Sequence, residues 1–545
     1  MPSFADRAEP AGQRCWVGVV AAFTVLVGVA GLGACTFDEA RPGLELPVPG
    51  VFDHAGRGGA EPGGAAVATP VAPLPVNWPK VFGSPELSRL AELTAHGNLD
   101  IAVAAARIRE ADAQTAIASA PLFPQATSSD TTGRSFSPGT IRSGNGTSRT
   151  IATTSFNLGL TASYELDLWG RNRFASLAAT ENAVAARFAR DTLVLSAVAA
   201  VANSYFTLLS AQDRLGIAEN NLKDARFGLE AIKGRLSVGT ATALEVAQQQ
   251  SVVDQQLATF PPLQQQLQQA KTAIALLTGR VPESLAIKGG SLSALKPPII
   301  PPGLPSQVLR RRPDVAEAEA TLGSADAAVL SARAALFPTL TLTASGGVES
   351  LALRTLLSPA AAFGSMGAGL ASPLLDGGAL KGELDLQRGR DLEDLQAYRK
   401  SVVQSLVDVE NALIAIQQNT EHEKRLAAVV ASARLAYDIT RVRLREGTID
   451  ILTVLNTEQT LFAALDAEAV VRLARFTALS SLAQAIGGGW TRPEQLEVPP
   501  LDGLTPVPAE ALQPEPPPRG SDRTDANGYT AGAGAAAPRA AGGPS

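Results

Sequence analysis

From residue 155 to 168 the chain alternates without interruption. Phe156, Leu158, Leu160, Ala162, Tyr164, Leu166 and Leu168 fall on one face, and Ser155, Asn157, Gly159, Thr161, Ser163, Glu165 and Asp167 on the other. Period two with one apolar face is a strand signature. Leu340, Leu342 and Ala344 repeat it against Thr339, Thr341, Thr343 and Ser345, and a Gly/Ser-rich stretch follows. Four strands are predicted, over roughly 125–136, 152–168, 338–349 and 363–375. An Ala-rich helix precedes each pair, over 98–119 and 314–335, and each stops at Leu-Phe-Pro; Pro313 suits the first turn of the second. After each pair, residues 174–235 and 382–445 contain no proline and keep heptad-like apolar spacing. A helix of ~60 residues spans roughly 90 Å and needs partners along its length, so a coiled-coil-like assembly is expected.

The same plan therefore occurs twice. RLSVGTATALEVAQQQSVVD (235–254) returns as RLREGTIDILTVLNTEQTLF (443–462), with Arg235, Leu236, Gly239, Thr240, Leu244 and Val246 each matched 208 positions later. Leu122-Phe123-Pro124 matches Leu336-Phe337-Pro338 at an offset of 214. Two copies at this period read as an internal duplication, with repeats over 86–285 and 310–490. Residues 286–309 read as a Pro-rich linker, 35–85 as an extended Pro/Gly-rich segment, and 497–545 as a disordered tail. Gly239 and Gly447 fit helix C-caps, because glycine accepts positive φ.

Composition narrows the function. The net charge of −6 lacks the basic excess that a phosphate-binding surface needs, which excludes nucleic acid as a partner. His54, His96 and His422 are far apart and have no neighbouring cysteine, so no metal site and no cofactor is expected. No Ser/His/Asp or Cys/His arrangement and no Gly-x-Ser-x-Gly is present, so no catalytic residue is assigned and an enzyme is not expected. The only two cysteines, Cys15 and Cys35, lie at the start. Arg7 and Arg14 precede the apolar run WVGVVAAFTVLVGVAGLGA, which ends directly at Cys35. That is a signal-peptide pattern over 1–34. Leu32-Gly33-Ala34-Cys35 resembles a bacterial lipobox, making Cys35 the acylation site and outer-membrane lipid its partner. An uncleaved membrane anchor and an ordinary signal peptide are the alternatives.

Strands with one apolar face cannot stand alone in lipid, where every backbone polar group must be paired. They must close into a barrel of at least about eight. One chain supplies four, so the barrel must be shared between subunits. The fold class expected is an α+β membrane protein: barrel strands continued by a long helical cylinder.

These segments carry a resemblance. LRRRPDVAEAEATLGSADAAVLSARAALFPTLTLTAS (309–345), SPLLDGGALKGELD (372–385), YELDLWGR (164–171) and the 443–462 stretch with AIGGGW (485–490) resemble the outer-membrane factors of tripartite efflux systems. These are the TolC-like family, of the OprM/NodT lipoprotein type. The resemblance implies a homotrimer with a 12-stranded barrel and a 12-helix periplasmic tunnel in the cell outer membrane. It implies a passive conduit for small molecules such as antibiotics, docked to a periplasmic adaptor protein and an inner-membrane pump. Gly239, Thr240, Gly447 and Thr448 would lie in the turns at the periplasmic tip. Leu452 and Asn456 would line the constriction that closes the resting channel, with an amide where relatives carry an acid. A type I protein-secretion channel and a surface lipoprotein with a coiled-coil stalk are the alternative functions.

Overall fold

A computed structural model describes residues 48–54, 74–75, 77–139 and 149–493. The signal segment, Cys35 and the tail from 497 lie outside these residues. Helices α1 (Pro85–Gly97) and α2 (Leu99–Ser119) lead into strands β1 (Gln125–Gly139) and β2 (Arg149–Leu166). Two long helices follow, α3 (Arg171–Ser237) and α4 (Ala243–Leu277). The second half has α5 (Pro305–Arg310), α6 (Pro313–Ala334), β3 (Thr339–Ser350), β4 (Ala362–Ala371), α7 (Ala379–Arg445) and α8 (Ile451–Ala485). The two hairpins correspond residue for residue in length, with 67 and 35 residues in each. At 1.5 Å per residue, each 67-residue helix runs for about 100 Å.

The strands form one antiparallel sheet in the order β1-β2-β3-β4. Its register puts Leu158 opposite Val348, Tyr164 opposite Leu342 and Leu340 opposite Leu370, so the apolar alternation becomes one continuous face. Leu160, Met366 and Leu370 on that face are exposed in the single protomer. Among the described residues, β1 and β4 are sheet edges with no further strand beside them. β1 and β2 also stay paired past the last rung shared with β3, Phe156↔Ser350, up to Gly139↔Arg149.

Below the sheet, the helices share a first apolar core. Phe82, Phe206 and Phe476 meet with ring centroids 5.0–6.1 Å apart, and Trp78 packs on Phe82 at 6.0 Å. Two compositional expectations need correction. The segment expected to stay extended to residue 85 instead forms a 3-10 turn at Trp78–Phe82, because burying Trp78 and Phe82 in this core outweighs the Pro/Gly bias. Phe52 is buried there as well. The Pro-rich stretch 286–309 is no free spacer either. Leu292 and Ile300 enter the core, and its backbone N–H groups at Lys288, Gly289 and Leu292 donate to Glu86 and Asp213 at 2.9–3.0 Å.

The ends of the repeats are fastened by close backbone contact. In AIGGGW, Gly487, Gly488 and Gly489 all have positive φ, and a Cβ on Gly487 would lie 1.9 Å from the Arg311 carbonyl. The chain then turns so that Trp490 Nε1 donates to Asp191 (2.9 Å) and its ring meets Phe188 edge-on. Nearby, RRRPD opens α6 by burying Arg312. Its guanidinium donates to Asp314 (2.6 and 2.9 Å) and Asp408 (3.0 Å) and to the Ser405 and Ala485 carbonyls (3.4 and 3.3 Å). One cation thus ties α6, α7 and the end of α8. Burial works against its charge, and Asp314 and Asp408 more than offset that, leaving its pKa raised. Replacing Arg312 by Ala should lower stability by roughly 2–3 kcal/mol, below the range for a fully buried pair because both carboxylates keep some solvent. The thermal midpoint in detergent, against wild type, measures this.

Candidate functional site

The hairpin turns farthest from the sheet are built alike. At the end of α3, the Gly239 N–H donates to the Leu236 carbonyl (3.0 Å) and the Thr240 N–H to that of Arg235 (2.9 Å). At the end of α7, Gly447 donates to Leu444 (3.1 Å) and Thr448 to Arg443 (2.9 Å). Both are Schellman caps, which need a left-handed residue just past the helix. Gly239 and Gly447 supply it with φ of 76° and 74°. Thr240 and Thr448 add a second bond each, their hydroxyls donating to the same Arg235 and Arg443 carbonyls at 3.1 Å.

The returning helices are capped differently. Thr242 and Glu245 form a capping box at the start of α4. Asp450 caps α8, its carboxylate accepting from the N–H and the hydroxyl of Thr453, both at 2.8 Å. The Thr453 N–H holds the Asp450 carboxyl below its usual range. Asp450 fixes where α8 begins, and so where its first turns point. Leu452 and Asn456 stand four apart on one side of those turns and are exposed in the protomer, Leu452 by 52%. Leu244, the counterpart of Leu452 on α4, is also exposed.

Behind this exposed line lies a second apolar core joining both hairpins, with Leu222, Leu229 and Ile232 from α3, Val252 and Val253 from α4, Tyr437 from α7 and Ile451, Leu455 and Phe462 from α8. It encloses an acid that pattern reading missed. Glu458 is only 2% exposed, and it accepts from Gln249 Nε2 (3.3 Å) and the Tyr437 hydroxyl (3.4 Å). Arg441 packs over the rings of Tyr437 and Phe227 at 5.4 and 5.7 Å. Burial pushes the Glu458 carboxyl up, reinforced by Asp224 and opposed by the Gln249 and Tyr437 hydrogen bonds and by Arg441. The signal available was weak: an acid at a position the heptad spacing marks as inward. Among the described residues, no group of three or more His, Cys, Asp or Glu could hold a metal.

With this geometry in view, comparison with known proteins is decisive. Residues 90–280 and 304–488 match the family model described as outer membrane efflux protein. The chain belongs to the outer membrane efflux protein family. The pyoverdine export outer membrane protein OpmQ of Pseudomonas aeruginosa is 38% identical over 77% of this chain and 88% of its own. The probable efflux pump outer membrane protein TtgC of Pseudomonas putida is 31% identical over 77% and 86%. The solved outer-membrane channel OprN superposes with a TM-score of 0.75 at 26% identity, covering 83% of this chain and 99% of that one. This efflux protein therefore resides in the outer membrane, its helices on the periplasmic side.

Glu458 makes a pH prediction. Its folded pKa is raised, so the stability tied to the neutral carboxyl is full below the ordinary value of 4.5 and is lost as pH rises through the raised value. Glu458→Gln should abolish that part of the pH dependence. Thermal midpoints at stepped pH should show wild type losing more stability over this window than the amide variant does.

Proposed function

We propose that this efflux protein is the passive outer-membrane conduit of a tripartite, RND-type export system. Three copies would share a 12-stranded barrel and continue it as a helical tunnel, and a periplasmic adaptor and an inner-membrane pump would dock on the helical end. Small molecules such as antibiotics would pass from periplasm to exterior, driven by the pump. The carrying observation is the four-stranded sheet with an apolar face and two edges without a neighbour. Such a sheet meets its backbone needs in lipid only by joining edge to edge with other copies. A stalk-like surface lipoprotein would have no use for this sheet. The 38% identity with OpmQ, whose name assigns it pyoverdine export, favours a siderophore-like cargo as a second reading of the substrate.

In this reading Leu452 and Asn456 line the constriction, and the tip turns at Gly239–Thr240 and Gly447–Thr448 set its height. Exposure of a leucine beside the second hairpin turn supports the placement, since three such side chains meeting on an axis would shield one another. Asn456 gives the ring amides in place of carboxylates, so closure there is steric and apolar. Cys35 carries the lipid anchor on this reading.

Leu452→Ser should loosen the constriction and raise resting conductance severalfold in planar bilayers. Trimers that insert normally with unchanged conductance would remove Leu452 from the gate. Cys35→Ser should abolish labelling by palmitate, and continued incorporation of label would refute that acylation site.

A further inference from the structure

The two apolar cores of the helical body form separate clusters. On α7 the first ends at Leu413 and the second begins at Ala433, with no buried residue over 414–432. On α4 the gap runs from Val253 to Ala270 and contains one buried side chain, Leu263. Across this waist α3 and α8 keep small buried residues, Ala218 and Ala464 among them, and ion pairs tie the helices together. Arg214 of α3 donates to both oxygens of Asp466 on α8 (2.7 and 3.0 Å). Glu423 of α7 accepts from Arg472 (2.8 Å) and Arg475 (2.9 Å). Partly exposed pairs of this kind resist displacement far less than an apolar core does.

At the same level α4 carries Pro261 and Pro262 in its interior. Neither has an N–H, so the carbonyls of Leu257 and Ala258 lose their intrahelical partners, and a helix is weakened at such a point. The matching positions of α8 are Ala469 and Val470, so the second hairpin has no such weak point. A cavity of about 660 Å³ lies beside the proline pair, lined by Thr259, Pro262, Arg214, Gln459, Phe462 and Asp466. A packed unit at the tip, a packed unit above it, a weak point in one helix and free volume beside it are together the parts of a hinge.

We propose that Pro261–Pro262 is the pivot about which the tip unit, from Leu222 to Ile232 on α3 and Ile451 to Phe462 on α8, swings against the upper unit when the channel opens. The cavity is the space into which α4 bends. The inference rests on the reading of the protein as a gated channel.

The test combines P261A/P262A with Leu452→Ser and with wild type, as full-length protein in detergent and in planar bilayers. Restoring the two backbone N–H donors of α4 should raise the thermal midpoint. It should also lower open-channel occupancy in the Leu452→Ser background about tenfold, the factor that ~1.4 kcal/mol produces. Hydrogen exchange should show the tip amides of α3 and α8 opening as one unit in wild type, and exchanging at least tenfold more slowly in the proline variant. If Leu452→Ser conducts and the proline changes leave both occupancy and tip exchange unaltered, the hinge is overturned while the channel stands. If Leu452→Ser trimers insert and never conduct, the channel reading fails; unchanged tip exchange would then sink the hinge on its own.

Discussion

An unpaired backbone N–H or C=O in hydrocarbon has no water to turn to, and the rest of this molecule is arranged around that constraint. A protomer with four strands leaves two edges open, and helices cannot cover an edge inside the membrane without crossing it themselves. The proposed assembly answers this by symmetry: each β1 finds a neighbouring β4, and the sheet closes. Closure then dictates the helices, since every strand end at the barrel base must hand over to an element that continues the same wall. Trp169 shows how one handover is made rigid. Its ring stacks on Phe337 at 4.9 Å and its Nε1 donates to the Pro338 carbonyl (2.7 Å), clamping the exit of β2 to the entry of β3.

Much of this was legible in residues alone, because the features concerned are local. Alternation over 155–168 and 339–345 announces strands whatever surrounds them, and Gly239 and Gly447 announce helix ends by the φ that only glycine adopts freely. The two 67-residue helices were legible over 174–235 and 382–445 from the absence of proline together with apolar spacing. What escaped was whatever depends on a partner distant in sequence. Glu458 meets Gln249, which lies 209 positions away, and nothing near either residue records the meeting. Arg312 likewise reads as one member of a basic run until Asp408 and the end of α8 surround it. The Pro/Gly-rich stretches misled in the opposite sense. Their composition predicts freedom, yet Trp78, Leu292 and Ile300 are apolar enough to be pulled into the core.

The duplicated halves have also diverged in ways that divide the work between them. Both hairpins have the same lengths and the same turns, so geometry alone gives neither a special task. Chemistry separates them. The second has an uninterrupted helix starting at a carboxylate cap and presents Leu452 and Asn456, whereas the first carries two prolines and a capping box. On the proposed reading, the first copy, freed from making the constriction, can tolerate a weakened helix, and the second cannot.

The β1–β2 pairing beyond the last rung shared with β3 has a different kind of consequence. Residues 149–155 of β2 are paired to β1 alone, which carries the hairpin about 23 Å past the common sheet at 3.3 Å per residue. With the helices in the periplasm, that projection points away from the cell. It lies on the side an antibody or a bacteriophage would approach. Residues 149–155 are paired on one side only within the protomer, so on the proposed reading a change of sequence there leaves the β2–β3 seam intact.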